Sequence, residues 1–416
     1  MSGPLWASTL LLCILAAGGC SKSNGASASR SGSGPEQAAS GDPGPPDTER
    51  PATRKELPTT PGALAFSNLN SQIQGSESAL ALDPKHPAKR LALVDLIATR
   101  GQYSARVADY ERAAQIADEV VRDAPGKWEP LLARASTRAT LHRFTEALAD
   151  LDEVDRLSPK HPGARSQRAA ILQARGQLEE ALVIRRASRE AYKNIMTLGN
   201  EAALLGDMGK LDEAARLFRE AAATYRDVSP FPVAWLFFQE GLMWERAGQR
   251  ARAKSFFAAA HERLPAYAHA ASHLAQIEAP PRALELLAPI VAASDDPEFE
   301  LLLAQRLQDS GRKADAEPHL ARVRARYDEL VRRHPAAFAD HAGWFWLDEG
   351  KDPKRALELA KLNLETRKTE KAYELALLAA IAANSREEGC ALAEQTSKLP
   401  NASEMLRRVS ANACPK

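Results

Sequence analysis

Two histidines four residues apart, His269 and His273, form the pair in this chain whose spacing best suits chemistry. On a helix they would share a face and could hold a metal ion. The catalytic form of such a pair, H-E-x-x-H, requires a glutamate directly after the first histidine, and that place holds Ala270. No carboxylate or third ligand is visibly positioned beside them, so the expectation is two polar groups on a helix and no metal site. Adjacent acids at Glu179-Glu180 and Asp212-Glu213 could act as a general acid and base. Both pairs stand where second helices begin, where carboxylates suit the helix dipole. Arg185, Arg186 and Arg189 make one basic cluster, and Arg322, Arg324, Arg326, Arg332 and Arg333 a second. Glutamate and aspartate interleave nearby, which predicts solvated faces rather than phosphate sites. The chain has no phosphate-binding P-loop, no dinucleotide glycine motif, no G-x-S-x-G and no C-x-x-C. These residues predict no enzyme and no cofactor.

The composition agrees. Fifty-five Lys and Arg oppose 54 Asp and Glu, leaving a formal charge of +1. A nucleic-acid binder carries a clear basic excess, so no nucleic acid is expected as a partner. Of the 416 residues 44% are hydrophobic, enough for a large core, and Ala, Leu, Arg and Glu dominate, which favours helices.

The elements that must position any site are best read between Trp128 and Pro159. Leu131, Leu132 and Ala135 fall on one face of a first helix; Ala147, Leu148, Leu151 and Val154 fall on one face of a second. A polar turn at His142-Arg143 joins them and Pro159 closes the unit. Pro125, which closes the preceding helical stretch, lies 34 residues earlier (159 − 125 = 34). Small residues at Ala135 and Ala147 would let the two helices approach closely, and Leu151 would fill the gap to the next pair.

The unit recurs. From Pro162 come Ala169, Gly176 and Ala181; from Ile195 come Ala202, Gly209, Ala214, Phe218 and Ala221. From Ala234 come Gly241, Trp244, Gly248, Ala253, Phe257, Ala260 and Pro265. An earlier pair, His86–Arg100 and Ala105–Asp123, has Gly101 in its turn. Beyond Pro265 the register loosens: Pro280-Pro281 forms a turn, Pro289 interrupts a second helix, and Ala402–Ala413 is a candidate cap. This 34-residue helix–turn–helix period resembles the tetratricopeptide repeat. The resemblance covers about eight hairpins between Ala63 and Leu399. It implies an all-α, right-handed superhelical solenoid in which each hairpin hides its apolar flanks against its neighbours.

In that family the first helix of each hairpin lines a concave groove through repeat positions 2, 5, 9, 12 and 13. Carried onto the repeat at Ala234, these are Trp235, Phe238, Leu242, Glu245 and Arg246; on the unit at Ala336 they include Asp340, Trp344 and Asp348. The resemblance thus implies an apolar strip rimmed by charge, suited to a peptide or a helix of a protein partner. The alternative is that Trp235, Phe238 and Leu242 pack against the adjacent hairpin. Trp244, Phe237 and Phe257 are assigned to the core.

Residues 1–20 read as a targeting segment. Leu5 to Ala17 is too short an apolar run for a membrane-spanning helix. Leu15-Ala16-Ala17-Gly18-Gly19-Cys20 resembles the lipobox of bacterial lipoproteins, although Ala17 stands where leucine is usual and no basic residue precedes the run. That resemblance implies lipidation of Cys20, with Ser21 favouring the outer membrane, facing the periplasm. A simple secretory signal or an uncleaved anchor is the alternative. Residues 21–62, rich in Ser, Gly and Pro, are expected to be a disordered tether, and 63–416 the solenoid. Of four cysteines only Cys390 and Cys414 fall in the folded part. In an exported domain they are compatible with a disulfide pinning the cap helix, or they remain as two thiols. Together these expectations describe a lipid-anchored scaffold for another protein in the cell envelope, with an enzyme, or a regulator of one, acting on cell-wall polymer as the alternative.

Overall fold

The computed structural model describes residues 50–399 and 402–415. The targeting segment, Cys20 and most of the expected tether lie outside them. The described residues form twenty α-helices and no strand. A leading helix α1 (Gly62–Leu82) is followed by nine hairpins. The first three are α2 (Pro87–Ser104) with α3 (Val107–Asp123), α4 (Trp128–Thr140) with α5 (Phe144–Leu157), and α6 (Pro162–Ala174) with α7 (Leu178–Ala191). The middle three are α8 (Ile195–Asp207) with α9 (Leu211–Thr224), α10 (Pro230–Arg246) with α11 (Arg250–Arg263), and α12 (Ala268–Ile277) with α13 (Pro280–Ala293). The last three are α14 (Pro297–Asp309) with α15 (Lys313–Arg333), α16 (Pro335–Leu347) with α17 (Pro353–Thr366), and α18 (Glu370–Ala382) with α19 (Arg386–Ser397). Helix α20 (Glu404–Ala413) ends the array. The fold is an all-α solenoid.

Small residues set the hairpin geometry. Ala135 and Ala147, Ala169 and Ala181, Ala202 and Ala214, and Ala304 and Ala316 are all fully buried. At Gly241 a Cβ would lie 2.6 Å from the Phe257 ring, so that pair of helices is closer than alanine permits. Eight of the nine turns contain a residue with positive φ: Ala105, His142, Gly176, Gly209, Gly248, Gly311, Lys351 and Asn384. This left-handed residue ends the first helix of each pair and reverses the chain. The sixth hairpin lacks it and turns into Pro280 at the first position of α13, where a missing N–H costs nothing. Arginine–carboxylate pairs tie the helices together, among them Arg134 and Arg138 to the buried Asp150 at 2.6 and 2.7 Å, and Arg189 to the buried Glu201 at 2.8 Å.

Four expectations change. There are nine hairpins rather than about eight. Gly101 is not a turn residue: α2 continues through it to Ser104, and Gly101 instead leaves room for Tyr110, whose ring would meet a Cβ at 2.9 Å. Pro289 does not interrupt α13, which runs through it. The chain is also ordered before Gly62. Residues 50–61 form a strap against the end of α11, where nearly fully buried Arg263 donates to the Leu57 carbonyl, to the Ala52 carbonyl at 3.0 Å and to Thr59 Oγ1 at 3.2 Å. Leu57 is itself buried in the main core.

Candidate functional site

The array curls until its first hairpins meet its later ones. The turn of the first hairpin touches the junction between the sixth and seventh: Ser294 Oγ donates to the Ala105 carbonyl at 2.6 Å, and the Val107 and Ala108 N–H groups donate to the Asp295 carboxylate at 2.6 and 3.1 Å. The turn of the second hairpin touches the next junction, where His142 Nδ1 donates to the Ala336 carbonyl at 3.1 Å. The turn of the third reaches the junction after that; a Cβ on Gly176 would lie 2.7 Å from the Lys368 carbonyl. The contact advances one junction per hairpin, as two stacked turns of one coil require. Further back, Tyr103 at the end of α2 donates to the Phe231 carbonyl at 2.9 Å, and its ring lies 4.9 Å from those of Phe231 and Tyr267.

This closure decides what the inner wall offers. Trp235, Phe238 and Leu242 are 2%, 7% and 3% exposed. They form no open apolar strip. The Trp235 ring fills the space over Gly199 of α8, 2.8 Å from where a Cβ would be. Phe238 is covered by Tyr267 and by His269 and His273 of α12, at 5.0, 6.3 and 5.4 Å between ring centroids. Trp344 is half-buried against the C-terminal core. Glu245 and Arg246 face the inside: Glu245 meets His273 Nδ1 at 3.0 Å, and Arg246 meets Asp207 at 2.8 Å, which also accepts from Gln173 at 2.7 Å. Burial alone would raise the Glu245 carboxyl, but the His273 bond and charge bring it below the ordinary value.

Of the rest of this wall, sequence reasoning named Asp340 and missed Arg367, His341, Asp296 and Lys371. Arg367 pairs with Asp340 at 2.6 Å, both more than nine-tenths buried, and His341 lies 3.4 Å from Glu298 and 3.7 Å from Asp340. Burial would depress the His341 imidazole; Asp340, Glu298 and Asp296 overcome it and raise it. Asp296, which caps α14 through the Glu298 N–H, is pushed up to about 7, by burial first and then by Glu298. His142 and His269 are held neutral by burial, both down to about 4. Lys371, on α18, keeps an exposed surface, yet desolvation and the nearby Arg246 lower its ammonium. Glu245 and Asp207, on hairpins five and four, also act on it. Asp340 was signalled by its repeat position and His341 and Lys371 lie on first helices, whereas Arg367 follows the second helix α17 and carried no signal.

Other candidates resolve as structural. Glu179, Glu180, Asp212 and Glu213 occupy first turns of α7 and α9. The second basic cluster is engaged: Arg322 with Glu300 at 2.6 Å, Arg326 with Asp295 at 3.1 Å, Arg333 with Glu111 at 2.5 Å, and Arg324 over Trp346 at 4.7 Å. His269 and His273 do not converge on a shared ligand set; among the described residues no group of three His, Cys, Asp or Glu could hold a metal ion. Cys390 and Cys414 are joined in a disulfide with Cα atoms 4.6 Å apart, fastening α20 to α19.

No protein-family model matches this chain, and no curated protein matches it. Among solved structures it is similar to a tetratricopeptide repeat protein from Parabacteroides merdae, with 17% identity over 61% of this chain and 98% of that one and a TM-score of 0.36. It is also similar to the human IFIT1 dimer with PPP-AAAA, with 13% identity over 88% and 95% and a TM-score of 0.46. PilF of Pseudomonas aeruginosa is 17% identical over 53% and 94%, with a TM-score of 0.36. These likenesses are in repeat architecture alone.

Proposed function

We propose that this chain is a scaffold that binds another protein in the bacterial cell envelope, held to the outer membrane by lipid on Cys20, and that the partner lies along the inner wall of the fifth to ninth hairpins. One observation carries the reading: the wall is lined by ionisable groups of both signs where a purely structural array would be cheaper to build from apolar residues. Lys371, Glu374 and Asp296 have their proton equilibria displaced chiefly by desolvation, and His269 Nε2 is buried without a hydrogen-bond partner. Perturbed groups of this kind gather at functional sites. Their chemistry suits a polar, mixed-charge extended segment rather than the apolar helix that Trp235 and Phe238 suggested.

The test is affinity capture from solubilised envelope with the wild-type chain against Lys371→Gln/Glu374→Gln. Lys371 stands on the first turn of α18 and Glu374 on the next, both outside the core, so helicity is expected to stay unchanged while a specific captured band disappears. Equal capture by both proteins overturns the inner-wall assignment. Anchoring is tested separately: Cys20→Ser is expected to move the protein from the membrane to the soluble fraction. The Glu245–His273 bond favours a second reading, an enzyme or a regulator of one acting on cell-wall polymer. Release of soluble fragments from purified polymer by the wild type, but not by His273→Ala, is its signature.

A further inference from the structure

We infer that the seat of the second hairpin's turn on the seventh and eighth hairpins is a pH-responsive joint, tight while His341 and Asp296 hold protons and loose once they give them up. The joint would behave in this way whatever the array binds. On α16, His341 stands between two carboxylates, Glu298 of α14 at 3.4 Å and the adjacent Asp340 at 3.7 Å. Arg367, just beyond α17, holds Asp340 at 2.6 Å. Asp296 caps α14 by accepting from the Glu298 N–H at 3.0 Å. His142 arrives from the second hairpin and donates to the Ala336 carbonyl, one turn before Asp340. The side chains of Glu298, His341, Asp340 and Arg367 are only 9–20% exposed.

The balance of charge there depends on those protons. With His341 protonated, it and Arg367 face Glu298 and Asp340, two cations against two carboxylates. When His341 and Asp296 lose their protons, Arg367 alone faces three carboxylates, and uncompensated charge in a site so poor in water is destabilising. Other charged groups around α16 are engaged elsewhere. On α15, Arg326 pairs with Asp295 at 3.1 Å and Arg333 with Glu111 at 2.5 Å, while Arg324 and, from α17, Arg355 lie on the Trp346 ring. In the arriving turn Arg143 pairs with Glu146 at 2.5 Å; on α18 Lys371 lies near Glu245, Glu374 and Asp207; and on α12 His269 stays neutral down to about 4. Burial would depress His341, but Asp340, Glu298 and Asp296 raise it, and burial followed by Glu298 pushes Asp296 up to about 7. A group that binds its proton more tightly in the closed joint than in the open one stabilises the closed form while protonated. Both contributions are therefore present at pH 6 and decline as pH rises to 8. His142 stays neutral down to about 4, so over this range it reports the joint without titrating.

The test is hydrogen exchange on the full chain, read by mass spectrometry at about pH 6 and pH 8 and expressed as protection factors, which divides out the intrinsic effect of pH. In the wild type, protection over residues 141–144 and 335–345 falls about tenfold from pH 6 to 8, the change that one acid with a value of about 7 supplies, and α7 keeps its protection. In His341→Gln/Asp296→Asn, where neither group can titrate, the fall shrinks below about twofold. His334→Gln keeps most of the fall, although His334 meets Glu111 at 2.7 Å on the same joint. Should the double variant lose helicity, Glu298→Gln, which takes a neighbouring carboxylate from both groups, brings the fall below about threefold. No fall in the wild type, an equal fall in α7, a fall undiminished in the double variant or in Glu298→Gln, or a fall abolished by His334→Gln overturns the joint.

Discussion

The fifth hairpin and the inner wall of the seventh to ninth occupy equivalent places in the repeat and came out opposite in character. In α10 the inward positions carry Trp235, Phe238 and Leu242, all sealed under α8, α12 and the arriving Tyr267. In α14, α16 and α18 the inward side carries Glu298, Asp340, His341 and Lys371, charged and in part open. A position number in a repeat therefore fixes a direction, not an exposure. Exposure is set by how tightly the array curls and by which later hairpin arrives at the same place. The sharpest way to break this contrast is Trp235→Ala. If Trp235 is core, removal costs about 3–5 kcal/mol, seen as a lower urea midpoint with unchanged slope. A loss below about 1 kcal/mol would return Trp235 to the open groove that its repeat position suggested.

The two ends of the array offer a second contrast. Strap residues 50–61 and α1 secure the start through Arg263, whereas the last hairpin has neighbours on one side only and α20 is fastened by Cys390–Cys414. Replacing both cysteines by serine opens a loop of 24 residues, for which the chain-entropy account gives about 3 kcal/mol. The loss should be local. Amide exchange is expected to rise in α19 and α20 and to stay unchanged in α10 and α11, because stability in a stacked array passes between neighbours. A uniform rise across the chain would mean that the cap controls the whole coil.

Hairpins were legible in the sequence because each carries its own signal: small residues at Ala135 and Ala147, a helix-ending turn at Gly176 or Gly209, a closing proline at Pro159 or Pro265. All are local, and a 34-residue period exposes them. The inner wall was not legible, since it is assembled from residues nearly half the chain apart. Nothing near His142 announces Ala336 or the Asp340–Arg367 pair, and nothing near Lys371 announces Glu245. Gly101 misled for a related reason: glycine marks a turn or a close approach, and only the position of Tyr110 tells which. Residues 50–61 read as linker by composition, yet buried Arg263 holds the Ala52 and Leu57 carbonyls, Thr60 donates to the Val228 carbonyl and Leu57 enters the core.

Ionisation separates the two regions more finely. Glu240, on α10 and 5% exposed, is pushed up to about 8 by burial, with no ion pair to offset it. Its folded value exceeds the unfolded one, so its contribution is fully present below pH 4.5 and is lost as pH rises towards 8. Between pH 5 and 8 the wild type should lose roughly 2 kcal/mol more stability than Glu240→Gln, less than the full shift because the site relaxes as charge appears. Parallel urea titrations at the two pH values measure it. The slope should reverse at the acid end. His142 and His269 stay neutral to about 4, so what they contribute is present above pH 6.5 and lost as pH falls from 6.5 to 4.

Lys371 gives the smallest effect and the most discriminating one. Its surface is exposed, it makes no direct ion pair, and desolvation already disfavours its charge, so Lys371→Gln removes a penalty along with a weak attraction to Glu245, Glu374 and Asp207. The two contributions oppose each other, and the net change in stability is expected within about 0.5 kcal/mol of zero. Trp235→Ala should cost several times more while occupying an equally inward place. If instead Lys371→Gln destabilises the coil by about 2 kcal/mol or more, the ammonium is a structural tie between the ninth hairpin and the fifth. The inner wall would then be a core of unusual composition, closed for its own sake. A near-zero change leaves a charge that folding does not need, held near carboxylates it does not touch, and that is the condition a binding residue must meet.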